Sequence, residues 1–349
     1  MKINKLLIDH NKNIYDALYK LNNIENLGSL ILFVTDDKNV VIGSLTDGDI
    51  RRALIDNIKL DSKLKQIVNR KFNFEYVGKQ VNVKQLKSDG IDVLPILNED
   101  GTFNSFYDFT YLIDIIPVEC FIMAGGRGKR LSPLTDKIPK PLLKLEGKPI
   151  IEYTIEMLCK FGIKKIYISI NYLGHLIREA LGNGSKWGVE IIYIEEDIPL
   201  GTAGSLSLVD NFKSENILLM NSDVLTNVSI SDLYEKLINT KADMVISSIP
   251  HKVEIPYAVF ESKKQKVTSL VEKPTYLYNA NAGIYMFNKK LVEDIPKDKF
   301  YDITDLIERL TNLKKDVYHV PITGYWIDIG KPIDYDRAKQ LTKILNERQ

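Results

Sequence analysis

From residue 118 onward the sequence alternates between two kinds of apolar segment, and that alternation limits the fold more than any other feature. Glu119-Cys120-Phe121-Ile122-Met123 is apolar enough for a central strand, Ile150 to Leu158 carries a helical period, and Lys165 to Ile170 is β-branched and aromatic. A helix from about Gly174 to Leu181 precedes Val189 to Ile194, and Asn216 to Met220 reads as another buried strand. Repetition of this kind predicts a mostly parallel, doubly wound α/β sheet with ligands at the carboxyl ends of its strands.

The first 117 residues follow another pattern. A helical stretch through Ile14, Ala17, Leu18 and Leu21 leads to strands at Leu30–Val34 and Val40–Gly43, joined by the turn Asp36-Asp37-Lys38-Asn39. Asp47 is placed to cap a helix that continues through Leu54 and Ile55. Further along, Val93–Leu97, the turn Asn98–Gly101, Phe103–Tyr107 and a helix-like Tyr111-Leu112-Ile113 make a weaker copy, an internal repeat. The hairpin followed by Thr46-x-x-Asp49-Ile50-Arg51-Arg52 resembles a CBS motif, two of which usually fold as one α+β module. That resemblance implies that Thr46 and Asp49 hold the ribose of an adenine nucleotide, with Arg51 or Arg52 near phosphate. CBS modules commonly pair, which implies a homo-oligomer. On the residues alone, Asp49, Arg51 and Arg52 read equally well as a solvated helix face. No low-complexity linker follows, so Ile115-Ile116-Pro117 is the seam between domains 1–117 and 118–349.

Composition enters as a set of exclusions. A chain of 349 residues with 47 Lys+Arg against 46 Asp+Glu has no bulk charge to attract nucleic acid or an anionic membrane, so any phosphate must be held locally. The two cysteines, Cys120 and Cys159, form no C-x-x-C and point to neither a disulfide framework nor zinc. The apolar run near Met1 to Asp9 is too short for a signal peptide, and no run suits a spanning helix, so a soluble cytoplasmic protein is expected.

The chemistry concentrates after the first strand of the second half, in Ala124-Gly125-Gly126-Arg127-Gly128-Lys129-Arg130-Leu131. Glycines there let backbone N–H groups close around a phosphate chain, and Arg130 can reach the same anion. Alone, such a loop can equally be a turn. Pro139-Lys140-Pro141 strengthens the reading, because two prolines stiffen the backbone around one lysine. Asn221-Ser222-Asp223 puts a carboxylate at the end of a buried strand, and a second, Asp328, lies in Gly324-Tyr325-Trp326-Ile327-Asp328-Ile329-Gly330. Two aspartates from distant strands suit Mg²⁺, which takes one or two carboxylates plus water and phosphate oxygens. Each aspartate alone could instead cap a turn or pair with a lysine.

Together, Gly-Gly-x-Gly-x-Arg-Leu-x-Pro-Leu-Thr and Pro-Lys-Pro-Leu-Leu resemble the signature of the sugar-1-phosphate nucleotidyltransferases, and the resemblance continues nearly to the C-terminus. It implies a Rossmann-like, doubly wound mixed sheet, with the CBS-type pair ahead of it. It further implies that Ala124, Gly125, Gly126, Gly128, Arg130 and Lys140 bind the nucleoside triphosphate and that Asp223 and Asp328 are the metal ligands. Pro199-Leu200-Gly201-Thr202-Ala203-Gly204 corresponds to the stretch between nucleobase and sugar, with Thr202 free to hydrogen-bond, or else capping its own helix. Tyr257 corresponds to a backbone contact, and Glu272, Lys273 and Asn281 to sugar-phosphate contacts; Glu272 and Lys273 also read as an exposed charge pair. Tyr285 and Trp326 read as core aromatics, and the four histidines lie outside every motif. Lys129 departs from the family, where many members carry threonine. CBS repeats joined to this catalytic type resemble the guanylyltransferases of bacterial surface-sugar pathways, which implies GTP and a glucosamine-, mannose- or heptose-type sugar 1-phosphate. A thymidylyl- or uridylyltransferase, and a non-catalytic nucleotide-binding regulator, are the other readings.

Overall fold

The computed structural model describes residues 5–24 and 29–347; the first four residues of the N-terminal apolar run lie outside these. The chain divides into two compact units, Met1–Ile115 and Ile116–Gln349.

In the first unit the internal repeat appears as topology. Strand Leu7–Asp9, helix Ile14–Asn22 and strands Ile31–Thr35 and Val41–Thr46 make a three-stranded sheet whose first pair is parallel and second antiparallel. Strand Glu75–Tyr76, helix Val83–Ser88 and strands Val93–Leu97 and Phe103–Asp108 repeat that order and those directions. Leu6, Phe33 and Val41 of the first copy share a core with Val93 and Leu97 of the second. The first copy closes with helix Asp47–Ile55, capped by Thr46 rather than by Asp47. The second has no such helix, contrary to the expectation for Tyr111-Leu112-Ile113. Asp108 Oδ1 accepts from Thr110 N at 3.0 Å and from the Thr110 hydroxyl at 2.5 Å, an Asx-type turn that competes with helix formation.

The main elements of the second unit are β1 (Val118–Met123), α1 (Ile150–Lys160), β2 (Lys165–Ile170), α2 (Gly174–Leu181), β3 (Glu190–Glu195), β4 (Asn216–Asn221), β5 (Val224–Thr226) and α3 (Ile230–Thr240). There follow β6 (Met244–Glu254), β7 (Val259–Lys263), β8 (Lys266–Val271), β9 (Thr275–Asn288), α4 (Ile303–Asn312), β10 (Val317–Pro321), β11 (Trp326–Asp328) and α5 (Pro332–Asn346). Seven strands form one sheet in the order β3-β2-β1-β4-β9-β6-β10. The first four are parallel, as the strand-helix alternation predicts; β9 runs antiparallel between β4 and β6, which makes the sheet mixed.

Both faces are covered, which is why the central strands read as unbroken apolar runs. Ile122, Ile284 and Met286 pack with Ile151 and Ile155 of α1 and Leu233 of α3 on one face. Phe121, Tyr285 and Phe287 pack with Leu306 and Leu310 of α4 on the other. Each of these buried side chains stabilises the fold by about 1.5–3 kcal/mol relative to exposure. Beyond Ser248 the β6–β9 ladder leaves this core and runs out to the Glu254–Thr275 pair, and β7 and β8 form a separate two-stranded sheet.

Candidate active site

The glycine loop begins where β1 ends, at the carboxyl edge of the parallel strands. Gly128 has φ +64°, and a Cβ there would lie 3.1 Å from Thr135 Cγ2 and 3.2 Å from Lys140 Cβ, so the loop can fold against the lysine segment only with glycine at this position. The Thr135 hydroxyl donates to the Gly128 carbonyl at 2.9 Å and fixes that contact. Lys140 opens a single 3₁₀ turn behind Pro139 and is buried, its stem packed away while its ammonium points to the carboxylates.

Those carboxylates meet through backbone pairing. β5 and β11 form a short antiparallel ladder in which Val224 faces Asp328, and Ile329 N donates to the Asp223 carbonyl at 3.0 Å. Two residues more than a hundred positions apart thus become neighbours. Lys140 Nζ donates to Asp223 Oδ2 and stands 3.9 Å from Asp328 Oδ1. A Cβ on Gly330 would lie 3.3 Å from Asp328 Oδ2 and 3.4 Å from Arg130 Nη2, which places the guanidinium beside the same carboxylate. Burial, and then the charge of Asp223, push the Asp328 carboxyl above its ordinary range; Lys140 and Arg130 act against that rise. Asp223 Oδ1 is buried and has no hydrogen-bond partner. A buried lone-pair site left open in this way costs free energy unless something fills it.

A cavity of about 470 Å³ joins these parts, with Gly126, Arg130, Lys140, Gly201, Asn221 and Asp223 in its wall. Two further lining residues were not singled out by the sequence. Glu196, 9% exposed, accepts from Leu200 N at 3.1 Å, and Asp302 accepts from Thr202 N at 2.8 Å. Nothing in the run Glu195-Glu196-Asp197 marks its middle acid as the inward one; only the end of β3 does.

A nucleotidyl transferase family model matches residues 119–343. The chain belongs to that family. The matched stretch of this nucleotidyl transferase lies within the second unit, and the first unit lies outside it. The transferase is 30% identical over 225 residues to mannose-1-phosphate guanylyltransferase catalytic subunit beta of Dictyostelium discoideum, covering 62% of each chain and so less than two thirds of that enzyme. It is 32% identical over 226 residues to D-glycero-alpha-D-manno-heptose 1-phosphate guanylyltransferase of Aneurinibacillus thermoaerophilus, covering 64% of this chain and 97% of that one. Among solved structures it resembles HddC from Yersinia pseudotuberculosis, with a TM-score of 0.52 and 26% identity over 64% of this chain and 99% of that one; HddC has also been solved with GMP-PN.

Several residues of the nucleotidyl transferase stand elsewhere than their motifs suggested. Ala124 and Ala203 are buried in the two apolar cores and do not line the cavity. The Thr202 hydroxyl is not free: it donates to Asp302 Oδ1 at 2.9 Å and accepts from Ile303 N at 2.9 Å, so it stabilises the start of α4 rather than of its own helix. Tyr257, Glu272 and Lys273 are exposed, and neither they nor Asn281 are among the lining residues. Asn281 is engaged locally, donating to the Tyr285 hydroxyl at 2.9 Å and accepting from Gly283 N at 2.9 Å. Tyr285 is core, and Trp326 packs against core and donates to the Ala282 carbonyl at 2.9 Å.

In the first unit, Thr46 and Asp49 form a capping box. Asp49 Oδ2 accepts from Thr46 N at 2.8 Å and from the Thr46 hydroxyl at 2.7 Å, while Oδ1 accepts from Arg52 at 2.6 Å. Arg51 pairs with Asp47 at 2.5 Å. Every polar group of the motif thus has a local partner.

Proposed function

We propose that the second unit transfers a guanylyl group from GTP to a sugar 1-phosphate of the glucosamine, mannose or heptose type, forming a GDP-sugar and pyrophosphate. The observation that carries this reading is the Val224–Asp328 pairing, which brings Asp328 beside Asp223 and Lys140, while Asp223 and Lys140 line one cavity with the glycine loop. The guanylyltransferase names of the similar proteins favour guanine over other bases.

In the transfer, a phosphate oxygen of the sugar 1-phosphate bonds to the α-phosphorus of the triphosphate. The bond from that phosphorus to the oxygen bridging the β-phosphate breaks, and pyrophosphate leaves. The reaction needs alignment and charge neutralisation rather than a protein nucleophile. Backbone N–H groups of Gly125 to Gly128 cradle the phosphates, Arg130 neutralises the charge that develops on the departing pyrophosphate, and Lys140 holds the Asp223 carboxylate in place.

The residues fit Mg²⁺. Asp223 Oδ1 is the open buried acceptor, and Asp328 is its neighbour across the ladder. That donor set suits a cation that draws its other ligands from water and phosphate. When bound at Asp223 and Asp328, Mg²⁺ supplies charge neutralisation to the triphosphate. The sugar-side roles of Tyr257, Glu272, Lys273 and Asn281 belong to the same reading, supported by their order in the chain. A nucleoside triphosphate as co-substrate fits a cytoplasmic setting.

For the first unit the reading is an adenine nucleotide at Thr46, Asp49 and Arg51 that modulates turnover. Binding there has to replace the local hydrogen bonds of the capping box, and calorimetry with AMP, ADP and ATP tests it. The catalytic reading is tested by pyrophosphate release across the four ribonucleoside triphosphates and dTTP, each with a panel of sugar 1-phosphates. Preference for GTP supports it. Tight nucleotide binding without turnover on any pair would favour the non-catalytic regulator.

A further inference from the structure

Three cationic side chains line the cavity, Lys129, Arg130 and Lys140, and two of them already face carboxylates. Lys140 Nζ donates to Asp223 Oδ2, and the Arg130 guanidinium stands beside Asp328. Lys129 is different. Its side chain is exposed and, among the described residues, makes no ion pair and no hydrogen bond. Arg127, two positions earlier, is no substitute: its guanidinium lies 5.1 Å from the centre of the Tyr172 ring, and it is not among the lining residues. The backbone fixes this division. Gly128 turns the chain through its positive φ, and Lys129 to Leu131 follow as a single 3₁₀ turn. Leu131, 1% exposed, anchors that turn in a core with Leu143, Leu145 and Ile327. Successive side chains of so tight a turn diverge by roughly 120°, so with Leu131 in the core and Arg130 at Asp328, Lys129 is left to the cavity.

Charge on the wall gives that free ammonium its meaning. Glu196, Asp223 and Asp302 line the same cavity, so three cations meet three carboxylates and the wall as a whole has no surplus to offer a polyanion. A nucleoside triphosphate bound there needs a cation that is not already neutralised. An ammonium on a flexible four-carbon stem meets a phosphate oxygen as a mobile point charge.

We propose that Lys129 Nζ binds the β- and γ-phosphates of the triphosphate, the part that leaves as pyrophosphate; this rests on the nucleotidyl transfer proposed above. In that reading the α-phosphorus lies where Asp223, Asp328 and Lys140 converge, because the sugar 1-phosphate attacks it there. Lys129 touches neither carboxylate, so its reach falls on the phosphates beyond. It is also the position at which the loop departs from the family, where many members carry threonine, so the added charge belongs to this chain. Lys129 then strengthens the binding of the triphosphate and of the pyrophosphate product alike.

Calorimetric titration of the full-length protein with inorganic pyrophosphate and, separately, with GMP, both in Mg²⁺, tests the contact. Lys129→Gln should weaken pyrophosphate binding about tenfold, the loss of one charge-assisted contact, and leave GMP binding within about twofold. Lys129→Arg should keep the wild-type affinity. Added salt should weaken pyrophosphate binding to the wild type more steeply than to Lys129→Gln. None of these measurements depends on turnover, so a protein that binds pyrophosphate through Lys129 but fails with every sugar 1-phosphate would sink the transfer reading and leave this contact standing. Where turnover is seen, KM for GTP should rise by the same factor with a much smaller change in kcat, because the contact is made before the phosphorus–oxygen bond breaks. Unchanged pyrophosphate binding in Lys129→Gln, an equal loss for GMP, or no pyrophosphate binding by the wild type would each overturn the proposal.

Discussion

Two aspartates, Asp49 in the first unit and Asp223 in the second, sit in motifs of similar promise and end in opposite states. Both oxygens of Asp49 are satisfied within six residues, by Thr46 and Arg52. Asp223 keeps one buried oxygen without a partner and shares Lys140 with a second carboxylate from a distant strand. The capping box lowers the free energy of its helix by itself. The aspartate pair leaves a buried acceptor open, a cost that the capping box of the same residue types does not carry.

The largest expected effect lies at the open site. Asp223→Asn keeps the shape and removes the charge, so turnover should fall by about a thousandfold or more while the fold persists, measured as pyrophosphate release alongside thermal melting. Near-normal turnover would erase the contrast, because Asp223 would then be as structural as Asp49. Next comes Lys140→Met. It removes the ammonium that pairs with Asp223 and leaves Arg130 as the cation beside Asp328, so turnover should drop on the order of a hundredfold and stability should fall as well.

A subtler effect follows from Asp328, whose folded carboxyl lies above its ordinary range. A raised acid binds its proton more tightly in the folded state, so its contribution to stability declines as pH rises from the ordinary carboxylate value through the folded one. In chelator, the melting temperature of the wild type should lose ground to Asp328→Asn across that window, and added Mg²⁺ should remove the trend. Parallel curves for the two proteins would show that neither burial nor the charge of Asp223 raises the Asp328 carboxyl. The smallest effect belongs to the closed motif. Thr46→Ala should destabilise the first unit by about 1 kcal/mol through loss of the cap, and leave basal turnover unchanged.

The parallel half of the sheet was legible because its inner strands are buried on both faces and bounded by local signals. Lys165–Ile170 and Asn216–Asn221 in the structure match the segments expected from their apolar runs. The antiparallel β6–β9 ladder was not legible. Its inner part follows the apolar rule, but beyond Ser248 its side chains are exposed, so no burial pattern marks it as strand. Glu196 and Asp302 were missed for a related reason: a charged residue in an acidic run carries no mark of facing inward until the strand or helix beside it is placed.

The sequence by itself determined the two-unit order, the strand-helix alternation, the repeat in the first unit and the identity of the loop, lysine and aspartates, because propensity, capping and glycine geometry act over a few residues. Only the tertiary structure decided that Val224 pairs with Asp328, that Thr202 is consumed at the start of α4, and that Ala124 and Ala203 are core. These depend on contacts between segments far apart in the chain, whose entropy cost is offset only by the packing of the whole sheet.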